Sequence, residues 1–254
     1  MAMVEYLMVA LAGFFGGALI VTSGGGSFIT YPVLLAVGLP STIANATSSV
    51  GLFTGWMTSI PNFKNEFVAN RKLIQVLLIP AFIGAVFGSW ILTKTPENIF
   101  GFVAPVLILF GALALQFRSS IIKLGNRVHI STHKRRIFAV AVLTFFICAY
   151  SSFFGAGVGI LMLACLSLLD VEHLVHNIAI KNAIVIVGNG VAFIYFIVSG
   201  LADAPLAIAI ACGAIPGAYI GSKYIHKASE IIVRRFTVVF GIVASIILFI
   251  IRLI

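Results

Sequence analysis

The chain is apolar in long stretches that recur from one end to the other, and no other feature limits its fold so severely. Runs of roughly 20 apolar residues are long enough, as helix, to cross a hydrocarbon core of about 30 Å. Reading such runs between charges, Pro and Gly gives ten segments, approximately 4–22, 27–38, 42–60, 71–92, 97–117, 136–154, 158–170, 174–199, 204–225 and 229–252. Only 9% of the 254 residues are charged and 61% are hydrophobic, whereas a soluble domain carries about 25% charged residues. Too few charges remain to cover a water-facing surface. The sequence therefore predicts a single all-α integral membrane domain spanning 1–254, embedded in a lipid bilayer and without a soluble appendage.

The net charge of +9 would raise nucleic acid as a partner in a soluble protein. Here the basic residues sit in short connections between apolar runs, where they set orientation in the membrane; no nucleic acid partner is expected. The N-terminal run from Tyr6 to Ala12 could pass for a signal peptide, but its only early charge is Glu5 and a signal peptide opens on basic residues. It reads as a retained first membrane segment. Cys148, Cys165 and Cys212 each lie alone in an apolar run, which suits packing and implies neither a disulfide framework nor a metal site.

Segments 27–38 and 158–170 are too short to cross a membrane alone, at about 12 residues or some 18 Å of helix. Each follows a glycine cluster: Ser23-Gly24-Gly25-Gly26-Ser27 and Gly155-Ala156-Gly157-Val158-Gly159. The halves that contain them are related. A shift of 133 places Ala81, Gly84, Ala85, Gly88, Ser89, Lys94 and Glu97 on Ala214, Gly217, Ala218, Gly221, Ser222, Lys227 and Glu230, with Ala46 on Ala179 and Gly55 on Gly188. Matching Lys and Glu in order is harder to attribute to composition than matching Gly and Ala. The chain thus reads as two repeats, 1–117 and 136–254, of about five hydrophobic segments each. A connection at 118–135 joins them. It carries Arg118, Lys123, Arg127, Lys134 and Arg135, with Arg136 just beyond, and is expected in the cytoplasm.

That assignment discriminates between two topologies. If each short segment returns the chain to the side it came from, every half makes five passes. Connections 61–72 and 223–235, with their Lys and Arg residues, then share the cytoplasmic side, and 39–41 and 200–203, which have none, lie outside. If the glycine clusters merely kink longer crossings, 223–235 is exported with Lys223, Lys227, Arg234 and Arg235. The five-pass reading obeys the charge rule better. An odd number of passes makes the repeats inverted, as in many secondary transporters.

Non-helical backbone is tolerated inside a membrane only where protein buries it or a water-filled cavity bathes it. Gly24-Gly25-Gly26 frees backbone N–H groups just before a helix that begins near Ser27. Free N–H groups and the positive end of the helix dipole together suit an anion. Ser23, Gly24, Gly25, Gly26 and Ser27, with Gly155 and Gly157 in the second cluster, are therefore candidate substrate residues. Packing is the competing role for any small membrane residue, and it is the expected one for Gly84/Gly88 and for Gly213/Gly217/Gly221, which form stripes on uninterrupted helices. Polar residues follow each short segment: Asn45, Thr47, Ser48 and Ser49 in the first half, His176, Asn177, Lys181 and Asn182 in the second. Asn45 and Ser48/Ser49 share a helix face. Lys181 lies well inside an apolar run and is either an anion ligand or a lysine snorkelling to the interface.

Other polar groups carry less. His173 and His176 beside Asp170 and Glu172 lack the spacing of a structural zinc site and read as an interfacial turn. Thr95-Pro96-Glu97 reads as an N-cap, first helical position and acidic first turn. No carboxylate lies deep in a run, no nucleotide-binding loop occurs, and no Ser/His/Asp or HExxH pattern points to an enzyme. No cofactor or metal is implied.

Gly13-Phe14-Phe15-Gly16-Gly17 leading to Gly24-Gly25-Gly26, then Tyr31-Pro32-Val33-Leu34-Leu35, Gly38-Leu39-Pro40 and Ala44 to Ser49, resembles the sulfite exporter TauE/SafE family. Gly155-Ala156-Gly157 and Ala179-Ile180-Lys181-Asn182 repeat the pattern more weakly. The resemblance implies a carrier of small sulfur-containing anions, such as sulfite, sulfoacetate and other sulfonates, in the bacterial inner membrane. It implies Thr-Ser where this chain has Ile180-Lys181, a departure that bears on anion charge or affinity. The expectation is alternating-access transport of a small anion. An anion-selective channel using the same dipoles and a non-transporting scaffold are the alternatives.

The topology is testable by cysteine labelling in whole cells after removal of the native cysteines. A cysteine at Ser229, within the basic 223–235 connection, should resist an impermeant reagent, while one at the C-terminus should react. Labelling at Ser229 in intact cells rules out the five-pass arrangement.

Overall fold

In the computed structural model, residues 3–58, 60–127, 132–169, 174–224 and 230–253 are described. Twelve helices run through them, with no strand among the described residues: α1 Met3–Ser23, α2 Ser27–Ala36, α3 Ser41–Met57, α4 Lys64–Ala69, α5 Arg71–Lys94, α6 Glu97–Gln116, α7 Arg118–Arg127, α8 His133–Phe153, α9 Val158–Leu166, α10 Leu174–Val198, α11 Ala204–Tyr224 and α12 Glu230–Leu253. Among the described residues, six helices are long and apolar enough to cross a membrane. The short α2 and α9 begin after the two glycine clusters, at Ser27 and Val158.

Two connections expected to be loops contain helix. The stretch 61–72 holds α4, and the basic connection opens with α7, where Arg118, Ile121, Ile122 and Gly125 align on one face and Ser120, Lys123 and Leu124 on another. That three-to-four spacing is the amphipathic pattern of an interfacial helix. Its short apolar pairs fall below the length that a search for membrane runs detects. Asp170, Glu172 and His173 of the candidate interfacial turn, and Lys227 and Ser229, lie outside the described residues.

Close packing of small residues sets the helix arrangement. A Cβ on Gly213 would fall on the Ala10 carbonyl and one on Gly217 on the Phe14 carbonyl; one on Gly221 would lie 2.9 Å from Ala18. A Cβ on Gly84 would fall on the Phe145 carbonyl and one on Gly88 on that of Ala149. Both stripes therefore pack backbone to backbone, α11 on α1 and α5 on α8. Residue numbers rise together across each contact, so both pairs are parallel. The 133-residue shift converts one pair into the other, since it carries α1 onto α8 and α5 near α11.

The remaining equivalents meet each other. The Asp203 amide, beyond α10, donates to Thr47 Oγ1 near the start of α3 (2.9 Å). Phe53 and Phe193 pack with centroids 5.0 Å apart and their rings tilted by 35°, and Trp56 near the end of α3 meets Lys181 near the start of α10. Helices α3 and α10 thus run antiparallel. So do α6 and α12, where Ser245 Oγ donates to the Pro105 carbonyl (2.8 Å) and Gly241 faces Ala112. An aromatic cluster of Tyr31, Phe100, Phe153 and Phe154, with centroids 5.4–6.4 Å apart, ties α2 and α6 to the end of α8.

The Glu97 region differs from the expected N-cap. Thr95 Oγ1 donates backward to the Ile91 carbonyl (2.7 Å). The Glu97 carboxylate instead accepts from the backbone amide of Ser41, and from the amide and hydroxyl of Thr42 at 2.9 and 2.8 Å. It caps α3, whose own N-cap residue is Pro40 and supplies no side-chain acceptor.

Overpacking against a backbone costs roughly 1–3 kcal/mol. Gly84→Leu should therefore lower the yield of monodisperse protein and reduce the melting temperature by roughly 2–12 °C. A parental melting temperature would show that α5 and α8 do not depend on this approach.

Candidate functional site

Helix α1 ends at Ser23, and the backbone turns at Gly24 with φ +73. The second break turns at Gly155 (φ +82) and Gly157 (φ +73). These left-handed conformations favour glycine, which explains why both breaks are written in it. In the first break, Gly24 N donates to Ile20 O (3.0 Å), and the Gly25 and Gly26 carbonyls accept from Phe28 and Ile29 (3.1 Å each). The amides of Gly25, Gly26 and Ser27 have no backbone acceptor among the described residues. In the second, Tyr150 OH donates to the Ala156 carbonyl (2.6 Å), fixing the turn from the preceding helix.

The two breaks touch. A Cβ on Gly24 would lie 2.9 Å from the Gly159 amide nitrogen. Gly24, Gly26 and Ser27 from one break and Gly155 and Val158 from the other line the same cavity. Both α2 and α9 therefore start on it and present the positive ends of their dipoles. Its other walls are Ser49, Leu52 and Trp56 of α3, Ser151 and Phe154, Ile20, and Asn189 of α10. Asn189 Nδ2 donates to the Val185 carbonyl (2.8 Å) and approaches Ser151 Oγ (3.4 Å). The cavity encloses about 20 Å³, room for about one water.

Of the residues singled out in the sequence, Gly24, Gly26, Ser27, Ser49 and Gly155 border this cavity. Gly25 lies within the first break. Gly157 packs beneath the second, where a Cβ would sit 3.1 Å from Gly111. Asn45 is fully buried and donates from Nδ2 to the Phe153 carbonyl (2.8 Å), bracing the end of α8, while its Oδ1 has no partner among the described residues. Ser48 Oγ and Thr30 Oγ1 share a hydrogen bond (2.5 Å) that fastens α3 to α2. Thr47 serves the start of α11 instead, through Asp203. Asn177 and Asn182 each carry a buried Oδ1 without a partner among the described residues, outside the cavity wall.

Lys181 is 3% exposed, the one charged side chain in the buried set of the described residues. Its Nζ lies 5.9 Å from the centroid of the Trp56 ring, a cation–π contact. Trp56 lines the cavity, so the ammonium stands one ring behind the wall. Such burial differs from snorkelling, in which the charged head reaches water.

Ser151, Asn189 and Trp56 escaped the sequence reading. The available signals were an amide between Gly188 and Gly190 deep in an apolar run, and a Ser pair directly before the second break. Trp56 and Asn189 are also equivalent under the 133-residue shift.

Membrane-length helices around two short helices that open on one polar cavity fit a multi-pass membrane transporter. The sequence pattern of the sulfite exporter TauE/SafE family matches residues 9–248, and the chain belongs to that family. It is 28% identical over 228 residues to a probable membrane transporter protein of Haemophilus influenzae, covering 89% of this chain and 88% of that one. A probable membrane transporter protein, YdhB, of Bacillus subtilis is 23% identical, with 91% and 92% covered. A third, ORF9 of Sinorhizobium sp, is 25% identical, with 93% and 89% covered. No solved structure matches the chain. The protein is thus a multi-pass bacterial membrane transporter.

Gly24 and Gly38 separate the demands of a turn from those of the contact. Both have positive φ, but nothing lies within 4 Å of a Cβ on Gly38. Each Ala variant should incur a backbone cost of about 1–2 kcal/mol. Gly24→Ala also forces the breaks apart. Solute flux into proteoliposomes should survive in Gly38→Ala and fail in Gly24→Ala. Equal flux would show that close approach of the breaks is dispensable.

Proposed function

We propose that the protein is a secondary transporter that moves a small, sulfur-containing anion (sulfite, sulfoacetate or another sulfonate) across the inner membrane by alternating access. The observation that carries this reading is the convergence of two helix N-termini, one from each half, on a single cavity. Their amides and dipoles favour negative charge, Ser49, Ser151 and Asn189 add hydroxyl and amide groups, and Lys181 stands behind Trp56. Among the described residues, no carboxylate lines this cavity. Ser23, Gly25 and Gly157 act in this reading as parts of the breaks. Asn45, Thr47 and Ser48 hold the surrounding helices, and Asn177 and Asn182 lie behind the site.

The size of the cavity supports a carrier over an open pore. Room for about one water is too little for a tetrahedral or pyramidal oxyanion, so loading requires the breaks to separate. Antiparallel equivalents such as α3/α10 and α6/α12 support two inverted repeats, 1–117 and 136–254. In such a pair, parting on one face exchanges with parting on the other.

Flux of labelled sulfite or sulfoacetate into proteoliposomes tests the proposal: saturation and counterflow are expected, and their absence with every small anion defeats it. Lys181 supplies a sharper measure. The ammonium stands behind Trp56 and acts on the cavity through space, an attraction of roughly 1–2 kcal/mol at an effective dielectric of about 20, so Lys181→Gln should weaken binding of a transported anion by about 5- to 30-fold. Lys181→Arg should retain part of it, since a guanidinium keeps the charge but not the shape. Parental affinity in the Gln variant would leave the backbone amides and dipoles as the anion-binding elements.

A further inference from the structure

The connection between the halves is uniformly basic. From Arg118 to Arg136 the sequence contains six Lys or Arg and no Asp or Glu. Helix α7 leaves α6 after a single residue, Phe117, which is itself exposed. The five residues between α7 and α8 are too few to cross a bilayer, so α7 and the start of α8 lie at the same membrane surface.

Helix α7 has two distinct faces. Arg118, Ile121, Ile122 and Gly125 are half-buried. Gly125 allows the helix to seat on α9: a Cβ there would fall on Ser167 Oγ and lie 2.8 Å from the Ala164 carbonyl. The opposite stripe runs Ser120, Lys123 and Leu124. Ser120, Lys123 and Leu124 are exposed, Leu124 at 65%. A leucine beside a lysine on an outward stripe fits the boundary where acyl chains meet headgroups. Lys134 and Arg135, exposed on the first turn of α8, extend the basic surface.

We infer that the outward stripe of α7, with the first turn of α8, docks the headgroup of an anionic phospholipid of the membrane. Leu124 enters the acyl boundary and Lys123 meets the phosphate, which is the arrangement that clustered basic residues beside a membrane helix favour. Because α7 rests on Ala164 and Ser167 at the far end of α9, the bound lipid also steadies the broken helix whose other end opens on the cavity.

The test uses the full-length protein purified in neutral detergent and supplemented with phosphatidylglycerol or phosphatidylcholine of matched chains. Phosphatidylglycerol should be retained and should raise the melting temperature, while phosphatidylcholine and inorganic phosphate at the same concentration should do neither. Each neutralised basic side chain costs about fivefold in lipid retention, so Lys123→Gln combined with Lys134→Gln should reduce it roughly 25-fold. Retention by the parent should also fall as salt rises, a measurement that does not depend on the variant folding. Equal retention of both lipids, a salt-independent parent, or a well-folded double variant that retains phosphatidylglycerol like the parent would overturn the inference. A shift produced by inorganic phosphate alone would overturn it in favour of a free-anion site. None of these measurements requires a transported solute, so they stand apart from the transport assay.

Discussion

Hydrocarbon offers no hydrogen bonds to a peptide group, and every part of this structure answers to that fact. Long helices satisfy their own backbones and form the outside of the molecule, where Phe82, Trp90, Phe146 and Ile246 face outward. The two places where the helix is abandoned are each covered by another part of the chain. Gly24 is covered by the Gly159 backbone, Gly155 lies against the Ser151 carbonyl, and Gly157 rests on Gly111. The aromatic group of Tyr31, Phe100, Phe153 and Phe154 flanks the junction. Exposed amides are tolerable here because each break shelters the other. The same mutual shelter creates the polar cavity.

Positions 133 residues apart in the sequence furnish the cavity differently. At equivalent positions, one half places an indole, Trp56, and the other an amide, Asn189, on the cavity wall. Ser48 ties α3 to α2 through Thr30, while its counterpart Lys181 is a buried cation facing Trp56. The glycine contacts that α11 makes on α1, by contrast, recur in those that α5 makes on α8. Backbone packing leaves little freedom for substitution, whereas the few polar side chains around the cavity can diverge without disturbing it.

Helix positions were largely legible because apolar length and glycine breaks are local signals. Segments 97–117 and 204–225 differ from α6 and α11 by one residue at one end. The glycine clusters were legible as breaks for the same reason, since a positive φ demands its own residue type. Depth was less readable. Lys181 could equally have snorkelled, because the sequence shows its place along a helix but not which neighbour covers it. Asn189 and Ser151 were missed because a neutral polar residue in an apolar run changes hydropathy little, and its orientation depends on partners far along the chain. Glu97 reads locally as the start of its own helix, while its contacts lie 55 and 56 residues away.

That last contact has a consequence for how the protein is made. Helix α3 is the least apolar of the helices in the first half that border the cavity, and its start depends on a carboxylate from α6. During synthesis, α3 emerges first, followed by α4 and the whole of α5 before residue 97 leaves the ribosome. Throughout that interval the Ser41 and Thr42 amides must be served by water. The capped start of α3 therefore exists only once α6 is in place, which couples the two helices across the 56 residues that separate them.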